Sequence, residues 1–331
     1  MNVKKKVIID CDPGIDDCLA LLLALKSPEL DILGITIVCG NVPTELGAKN
    51  ALKVLKRENR LDIPVYLGAS KPLKRTYISA QDTHGQDGLG ESFLPDVQDI
   101  APQTTSAVDF LNETFSNQKH VSIIALGPLT NIAQALQENP NAWNNIEDFV
   151  SMGGTFKSHG NCSPVAEYNY WCDPDAACYV FEHLAVPVKM VGLDVTRKIV
   201  LTPNILEYMQ QLDPETGGFI AKITRFYFDF HWTHEQVIGC VINDPLAVAY
   251  FLCPDLSSGF PAYTTVATNG VAIGQTIVDE KNIWNKKTNS LILTKVDSFL
   301  FMEMFLNRVM NAQTQNTQTV LKQIMNGEFD E

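Results

Sequence analysis

The stretch Val7-Ile8-Ile9-Asp10-Cys11-Asp12-Pro13-Gly14-Ile15-Asp16-Asp17 brings four aspartates together within eight residues. The apolar, β-branched residues 7–9 before them are typical of a buried parallel strand. The apolar run 18–25 after them is typical of a buried helix. Because Pro13 and Gly14 favour a bend, the sequence predicts a tight strand-to-helix turn that carries all four carboxylates.

Four carboxylates are more than a helix start needs. One aspartate can cap the helix, and two can lie near the positive end of its dipole. Four like charges a few ångströms apart raise one another's pKa and repel. A bound cation removes this conflict, and carboxylate oxygens are the ligands that Ca²⁺ and Mg²⁺ prefer. The turn is therefore predicted to be a metal site, with a capped, solvated turn as the alternative.

Strand-like and helix-like segments alternate along the chain. Strands are predicted at residues 7–10, 32–39, 65–67, 121–126, 149–152 and 186–191, and helices near 16–26, 44–57, 104–116, 129–138 and 174–184. This alternation predicts a single α/β domain over residues 1–331, with a mostly parallel central sheet flanked by helices, in the manner of a Rossmann-like open sheet. Ligands bind such sheets beyond the carboxyl ends of the strands, so the polar residues there are predicted to share one crevice.

Three other segments have recognisable patterns. Residues 71–95 and 153–169 are predicted to be long loops, and loops of this length often act as lids over a site. The aromatic-rich segment 217–237 is predicted to be helical. Residues 312–331 are polar and are predicted to form a short helix followed by a tail.

Composition excludes several classes of function. The net charge is −13, with 25 basic and 38 acidic residues, and nucleic-acid binding needs a concentrated positive face instead. No apolar span approaches the ~20 residues of a membrane helix, and with only three apolar residues directly before Asp10 no signal peptide is expected. The eight cysteines form no Cys-x-x-Cys pair, which is typical of reduced thiols. A cytoplasmic protein without a membrane partner is expected.

Short motifs distributed over residues 7–250 resemble, in order and spacing, those of the nucleoside hydrolases, the inosine-uridine-preferring N-ribohydrolases. The motifs are the Asp10–Asp17 run, Cys39-Gly40-Asn41, Leu126-Gly127-Pro128-Leu129-Thr130-Asn131, Met152-Gly153-Gly154, Ala166-Glu167-Tyr168-Asn169, Cys172-Asp173-Pro174 and Asn243-Asp244-Pro245. The resemblance implies the α/β fold, a divalent metal and hydrolysis of ribonucleosides.

The resemblance also implies a ligand set for Ca²⁺. The ligands would be Asp12, Asp17, the backbone carbonyl of Leu126, and Asp244, and Asp12 would also remove a proton from the attacking water. Three carboxylates around one divalent ion give a charge balance common for tight Ca²⁺ binding. Asp10 is expected to orient these ligands without touching the metal. For Asp244 alone, the alternative is an ordinary helix N-cap before Pro245.

A second group of residues is expected to bind the sugar. Asp16, Asn41, Asn161, Glu167 and Asn169 match positions that contact the ribose hydroxyls in the family. Negative and hydrogen-bonding groups suit a sugar that becomes cationic during cleavage. Glu167 and Asn169 would share one face if their segment is extended. Asn161 alone would be interpreted as a turn residue.

Asn243 departs from the family, in which many members have a histidine that protonates the leaving base. Asparagine cannot donate a proton near neutral pH, although Asn243 remains a candidate substrate contact. His84, His231 and His234 are the candidate replacement acids, and a structural role is the alternative for each. The aromatic stripe 226–232 is predicted to be core or a subunit contact, with Trp232 as a possible stacking surface for the base.

The sequence thus predicts a Ca²⁺-dependent ribonucleoside hydrolase that forms a homodimer or homotetramer, as the family does. Two alternatives keep the sugar site: a hydrolase of an atypical ribosyl substrate, and a Ca²⁺-dependent nucleoside or ribose-binding protein. A phosphatase of the haloacid dehalogenase type also begins with a strand that ends in Asp-x-Asp. That fold needs a phosphate-binding lysine motif, which this sequence does not contain. Base preference and the leaving-group acid stay open at this point.

Overall fold

The computed structural model describes residues 4–326. Its strands are β1 (Lys5–Cys11), β2 (Leu30–Ile37), β3 (Val65–Leu67), β4 (Val121–Ala125), β5 (Ile146–Met152), β6 (Val188–Val191), β7 (Val200–Leu201), β8 (Cys240–Val241), β9 (Ser257–Val266), β10 (Thr276–Asp279) and β11 (Ser290–Val296). Nine of these strands form one sheet in the order β10-β9-β11-β6-β5-β4-β1-β2-β3, and β7 pairs with β8. Among residues 4–326, β9 is the only strand of the large sheet that runs antiparallel to the others.

Helices flank the sheet. They are α1 (Ile15–Leu25), α2 (Thr44–Arg57), α3 (Gln81–His84), α4 (Ala107–Asn117), α5 (Thr130–Glu138), α6 (Tyr168–Cys172), α7 (Pro174–His183), α8 (Leu193–Thr196), α9 (Pro203–Leu212), α10 (Pro214–Glu235), α11 (Asp244–Leu252), α12 (Ser298–Val309) and α13 (Thr314–Leu321). Short helical turns also lie at residues 142–145, 254–256 and 322–326. Among the residues described, no helix is long and apolar enough to span a membrane.

The strand order places the site. From β1 the chain adds β2 and then β3 toward one edge of the sheet. It then returns to the other side of β1 and adds β4, β5 and β6 toward the opposite edge, so the strand order reverses between β1 and β4. Residues 7–9 of β1 are fully buried because β1 pairs with β2 and β4 and α1 covers it. In doubly wound sheets the ligand crevice opens at this reversal, beyond the carboxyl ends of the strands.

The predicted α/β class is confirmed, and a helix or strand lies at each predicted segment, with ends that differ by a few residues. Sequence reasoning assigned no strands after residue 191, whereas β9, β10 and β11 complete the sheet there. Strand β9 is half-exposed and contains Pro261, so it lacks the continuous apolar run of a central strand. The predicted C-terminal helix is α13, and the end of the predicted tail, 327–331, lies outside the described residues.

Candidate active site

The turn between β1 and α1 carries the four aspartates, and all four are buried. Asp10 accepts hydrogen bonds from Thr36 Oγ1 at 2.5 Å and Asn131 Nδ2 at 2.8 Å. Burial raises its pKa to about 7. Its partners lie on β2 and α5, so Asp10 connects β1 to both neighbouring chain segments. This position supports the predicted role in orienting the other aspartates.

Asp17 and Asp12 are held mainly by backbone N–H groups. Asp17 accepts hydrogen bonds from the backbone N–H groups of Asp12 at 3.1 Å and Gly14 at 3.0 Å. Asp12 Oδ2 accepts one from the backbone N–H of Asn41 at 2.6 Å. Burial raises the pKa of Asp17 to about 6, and burial together with the charge of Asp17 raises the pKa of Asp12.

The Asp12 carboxylate occupies space that two glycines leave free. A Cβ atom on Gly40 would lie 1.9 Å from Asp12 Oδ2, and one on Gly127 would lie 2.5 Å from Asp12 Oδ1. Asp12 Oδ1 is buried and has no hydrogen-bond partner among residues 4–326. A buried carboxylate oxygen left without a partner is costly, so this atom is a candidate contact for a cation or a water.

Asp16, Asp17 and Asp244 form an acidic cluster in which one oxygen of each lies within 4.8 Å of the others. Burial and the neighbouring charges raise the pKa of Asp244. No lysine or arginine in the described part of the chain forms an ion pair with this cluster. The donors are hard oxygens, as a Ca²⁺ or Mg²⁺ site requires. We call Asp12, Asp16, Asp17 and Asp244 the acidic floor.

The cluster differs in one residue from the predicted ligand set. It contains Asp16, which was assigned to the sugar, and it omits Asp12, whose Oδ2 is directed at the N–H of Asn41. The Leu126 carbonyl, the fourth predicted ligand, accepts a hydrogen bond from Asn169 Nδ2 at 2.7 Å. It keeps a second lone pair for a metal. Leu126 and Asp244 both line the main cavity.

The predicted sugar-binding residues surround the same cavity, which has a volume of about 610 Å³. Glu167 is the N-cap of α6, and its carboxylate accepts hydrogen bonds from the backbone N–H groups of Gly154, Asn169 and Tyr170. Burial raises its pKa to about 7. The expectation of an extended segment through residue 169 is wrong, because a helix begins at Tyr168; nevertheless Glu167 and Asn169 both line the cavity.

Two asparagines complete this set. Asn41 Nδ2 donates to Asp17 at 2.9 Å, so this side chain supports the acidic floor as well as lining the cavity. Asn161 is exposed at the cavity rim, and its Oδ1 accepts a hydrogen bond from the backbone N–H of Tyr168. Its side chain therefore fixes the start of α6. Direct contact of these residues with ribose stays a prediction.

Helix α10 forms the opposite side of the cavity. Five of its residues line the cavity, Tyr227, Phe230, His231, His234 and Glu235. We call the first four of these the α10 wall. The aromatic stripe therefore contributes to the site, which the sequence interpretation as core or subunit contact missed. Trp232 is half-exposed and lies outside the cavity lining.

The three candidate histidines have different hydrogen bonds. His84 is buried, and its Nδ1 accepts from the backbone N–H of Ile15 at 3.1 Å. His231 is buried, and its Nδ1 lies 2.9 Å from the carbonyl of Tyr227, so Nδ1 carries the proton and donates it. His234 makes the same bond to Phe230 at 3.0 Å but is exposed. Burial lowers the pKa of His84 and of His231.

Asn243 connects the floor to the wall. Its Nδ2 and its backbone N–H both donate to Asp16 Oδ2, at 3.1 and 3.2 Å. The hydroxyl of Tyr227 lies 3.4 Å from the same oxygen. In place of the family's histidine, this chain thus has a residue that holds Asp16. Tyr227 was missed because an aromatic residue in an apolar stripe gives no sign of which partner its hydroxyl reaches.

Arg197 is a second cavity-lining residue that sequence reasoning missed. Its guanidinium donates to Ser158 Oγ at 2.6 Å, to the carbonyls of His159 and Gly160, and to Glu235 at 3.3 Å. It therefore connects the loop that carries Asn161 to the end of α10. A lone arginine in a helical segment gives no sequence signal for such a contact.

Comparisons with known proteins agree with this geometry. The family model described as inosine-uridine preferring nucleoside hydrolase matches residues 7–303. The pyrimidine-specific ribonucleoside hydrolase RihA of Escherichia coli O1:K1 is 36% identical over 306 residues, which cover 92% of this chain and 97% of that protein.

Two solved structures have the same fold over almost their whole length. The purine-preferring ribonucleoside hydrolase from Gardnerella vaginalis superposes with a TM-score of 0.87 at 33% identity, covering 95% of this chain and 99% of its own. The plant nucleoside hydrolase PpNRh1 has a TM-score of 0.87 at 32% identity, covering 93% and 99%.

Proposed function

The chain belongs to the inosine-uridine preferring nucleoside hydrolase family and is an N-glycosyl hydrolase of ribonucleosides, and we propose that it works with Ca²⁺ to release free base and ribose. Family membership removes two alternatives, the binding protein and the haloacid-dehalogenase-type phosphatase. The observation that carries the proposal is the unpartnered, buried Asp12 Oδ1 beside three further buried carboxylates.

The residues present fit a hard divalent cation. Asp12, Asp17, the Leu126 carbonyl and Asp244 would hold it, and Asp16 is close enough to take part or to bind a ribose hydroxyl. When bound, Ca²⁺ would orient the ribose hydroxyls and lower the pKa of a water. The cation would also offset the repulsion among the buried carboxylates. Within residues 4–326, no lysine or arginine forms an ion pair with them.

Asp12 is the proposed general base. The bond from the anomeric carbon to the base nitrogen breaks, and its electron pair stays on the base. Water attacks the anomeric carbon and gives a proton to Asp12, whose Oδ1 is free to accept it. Asp16 and Glu167 supply negative charge near the sugar as it becomes cationic, while the amides of Asn41, Asn161 and Asn169 fix the loops around it.

His231 is the proposed acid for the leaving base. Its Nδ1–H is engaged by the Tyr227 carbonyl, so Nε2 can carry a second proton and give it to a base nitrogen. His84 cannot become doubly protonated without losing its bond from Ile15, so it is assigned as a neutral hydrogen-bond donor at Nε2. His234 is oriented like His231 but lies at the exposed rim, and its role is contact with the base.

A reducing-sugar assay tests this function. The panel contains purine and pyrimidine ribonucleosides, because the relatives include a pyrimidine-specific and a purine-preferring enzyme. We expect release of ribose that stops after treatment with a chelator and returns with added Ca²⁺. Undiminished turnover after exhaustive chelation would contradict the metal. An untreated enzyme that releases ribose from no member of the panel would indicate an atypical ribosyl substrate.

We also propose a cytoplasmic homodimer or homotetramer. The family resemblance supports the assembly, as do the exposed apolar side chains of Ile283 and Trp284, which follow edge strand β10. The eight free thiols support a reducing compartment. Light scattering should give a mass of two or four chains, and the mass of a single chain at micromolar concentration would contradict it.

A further inference from the structure

We propose that Tyr77 and Tyr168 are positioning residues that hold Asp12, through the peptide group between Gly40 and Asn41, in the orientation that hydrolysis needs. This inference rests on the proposed role of Asp12 as base. The two phenols are distant in sequence from Asp12 and do not touch it. Their effect is transmitted by one peptide group, which accepts hydrogen bonds at one end and donates one at the other.

The geometry consists of three hydrogen bonds in series. The hydroxyls of Tyr77 and Tyr168 lie 2.9 and 2.7 Å from the carbonyl oxygen of Gly40. The N–H of the same peptide group belongs to Asn41 and donates to Asp12 Oδ2 at 2.6 Å. A carbonyl oxygen has two lone pairs, so it can accept both phenols.

Gly40 makes this close approach possible. A Cβ atom there would lie 1.9 Å from Asp12 Oδ2, so the carboxylate occupies the space that any other residue would fill. The Asn41 N–H is the hydrogen bond that the structure gives to Oδ2, whereas Oδ1 has no partner among the described residues. The direction of Oδ1 is therefore set by how firmly the peptide group holds Oδ2.

Hydrogen bonds in series strengthen one another. Two donors on a carbonyl oxygen draw electron density toward it and make the N–H of the same peptide a better donor. The phenols thereby strengthen the bond to Asp12 without adding a charge next to the acidic floor. A lysine or arginine in their place would add a positive charge near the acidic floor, where it would compete with a cation.

The two phenols come from two different loops. Tyr77 lies in the predicted lid loop 71–95, and Tyr168 begins α6 at the end of the loop 153–169. The Tyr168 hydroxyl also lies 2.9 Å from the carbonyl of Ile78 in the loop 71–95, so its single proton is divided between the carbonyls of Gly40 and Ile78, and the phenol connects the two loops. Asp12 is therefore fully held only when both loops are in place around the cavity.

The kinetic test uses Tyr77→Phe, Tyr168→Phe and the double variant at saturating Ca²⁺. Phenylalanine keeps the ring and removes the hydroxyl. We expect kcat to fall about three- to tenfold for each single variant, as for the loss of one neutral hydrogen bond, and further for the double variant. KM should stay within about twofold. A raised KM with unchanged kcat would overturn the proposal, because the phenols would then only shape the cavity.

The second readout is the amide proton of Asn41 in a protein labelled with ¹⁵N-asparagine, assigned by its loss in Asn41→Gln. A weaker N–H donor resonates upfield, so we expect an upfield shift in both single variants. Tyr170→Phe is the matched control, because it removes a different buried phenol bond, to Ser151, and should not move this signal. An unmoved Asn41 signal in the double variant would overturn the proposal even if activity falls. A wild-type enzyme that hydrolyses no nucleoside would instead refute the proposed function and leave the amide result valid.

Discussion

The acidic floor and the α10 wall face the same cavity but are held by different kinds of bonds. Asp12 and Asp17 are fixed by backbone N–H groups at the ends of β1 and β2, in the most buried part of the sheet. The wall consists of side chains on one 22-residue helix, and its C-terminal part is exposed at His234. Backbone donors do not change when side chains change. Asp12 and Asp17 can therefore stay in place while the wall varies.

This difference assigns the two halves of the reaction. A sugar site must be the same for every ribonucleoside, and the rigid floor suits it. A base site must differ between substrates, and a helix face with replaceable side chains suits that. Asn243 lies at the boundary, bonded to Asp16 of the floor next to Tyr227 of the wall.

The largest effect is expected in the floor. Asp12→Asn should lower kcat by about 10³-fold or more, because it removes the proposed base and one metal ligand together. The loss should be equal for inosine, uridine and a nitrophenyl riboside, since all three share the sugar. Reducing-sugar and nitrophenolate assays measure it, and Asp62→Asn, an exposed carboxylate paired with Arg60, is the control. A loss confined to one base would contradict the division between floor and wall.

The next effect is expected in the wall. His231→Ala should lower kcat/KM for natural nucleosides by about 10²-fold, the typical contribution of a general acid. A nitrophenyl riboside should be hydrolysed at nearly the wild-type rate, because nitrophenolate leaves without a proton. His183→Ala is the matched control, since His183 also bonds the carbonyl four residues earlier but lies on α7, outside the cavity lining. If His234→Ala shows the loss instead, the acid is at the rim.

The pH dependence of kcat/KM tests the same assignment of His231 as the acid. A general acid works only when protonated, so kcat/KM should fall as pH rises through the pKa of His231. Burial lowers that pKa from 6.5, and this effect is larger than the opposing effects of the bond to Tyr227 and of the charges of Glu235 and Asp16. The other titratable neighbours of His231 are His84 and His234. The fall should therefore begin on the acid side of neutrality, and His231→Ala should abolish it.

The sequence predicted the floor better than the wall for a physical reason. Asp12, Asp16 and Asp17 are contiguous, and a strand followed by a helix fixes where they lie. Asp244 joins them only in three dimensions, since the neighbouring Asn243 follows Asp16 by 227 residues. Family resemblance, rather than residue pattern, supplied that assignment.

The wall and the loops depend on tertiary contacts that no local pattern contains. An aromatic stripe on an amphipathic helix is compatible with core, interface or site, and only the packing of α10 over the turn between β1 and α1 places Tyr227 beside Asp16. Glu167 and Asn169 were expected to share one face of an extended segment, but a helix begins between them at Tyr168, and the Glu167 carboxylate caps it by accepting hydrogen bonds from the N–H groups of Asn169 and Tyr170. Strands β9 to β11 were missed because their half-exposed faces lack a long apolar run.

The smallest effect is expected where one side chain, Arg197, connects the end of α10 to the loop that carries Asn161. Arg197→Lys keeps the charge but cannot reach Ser158, Gly160 and Glu235 together, because lysine lacks the planar fork of donors. We expect KM to rise about three- to tenfold while kcat changes less than twofold, since the wall would be less well placed while the floor is unchanged. Arg225→Lys is the control, because Arg225 forms an exposed ion pair with Asp229 on α10 itself. A fall in kcat as large as that of His231→Ala would show that the placement of the wall limits proton transfer itself. The wall, like the floor, would then have to be rigid for catalysis.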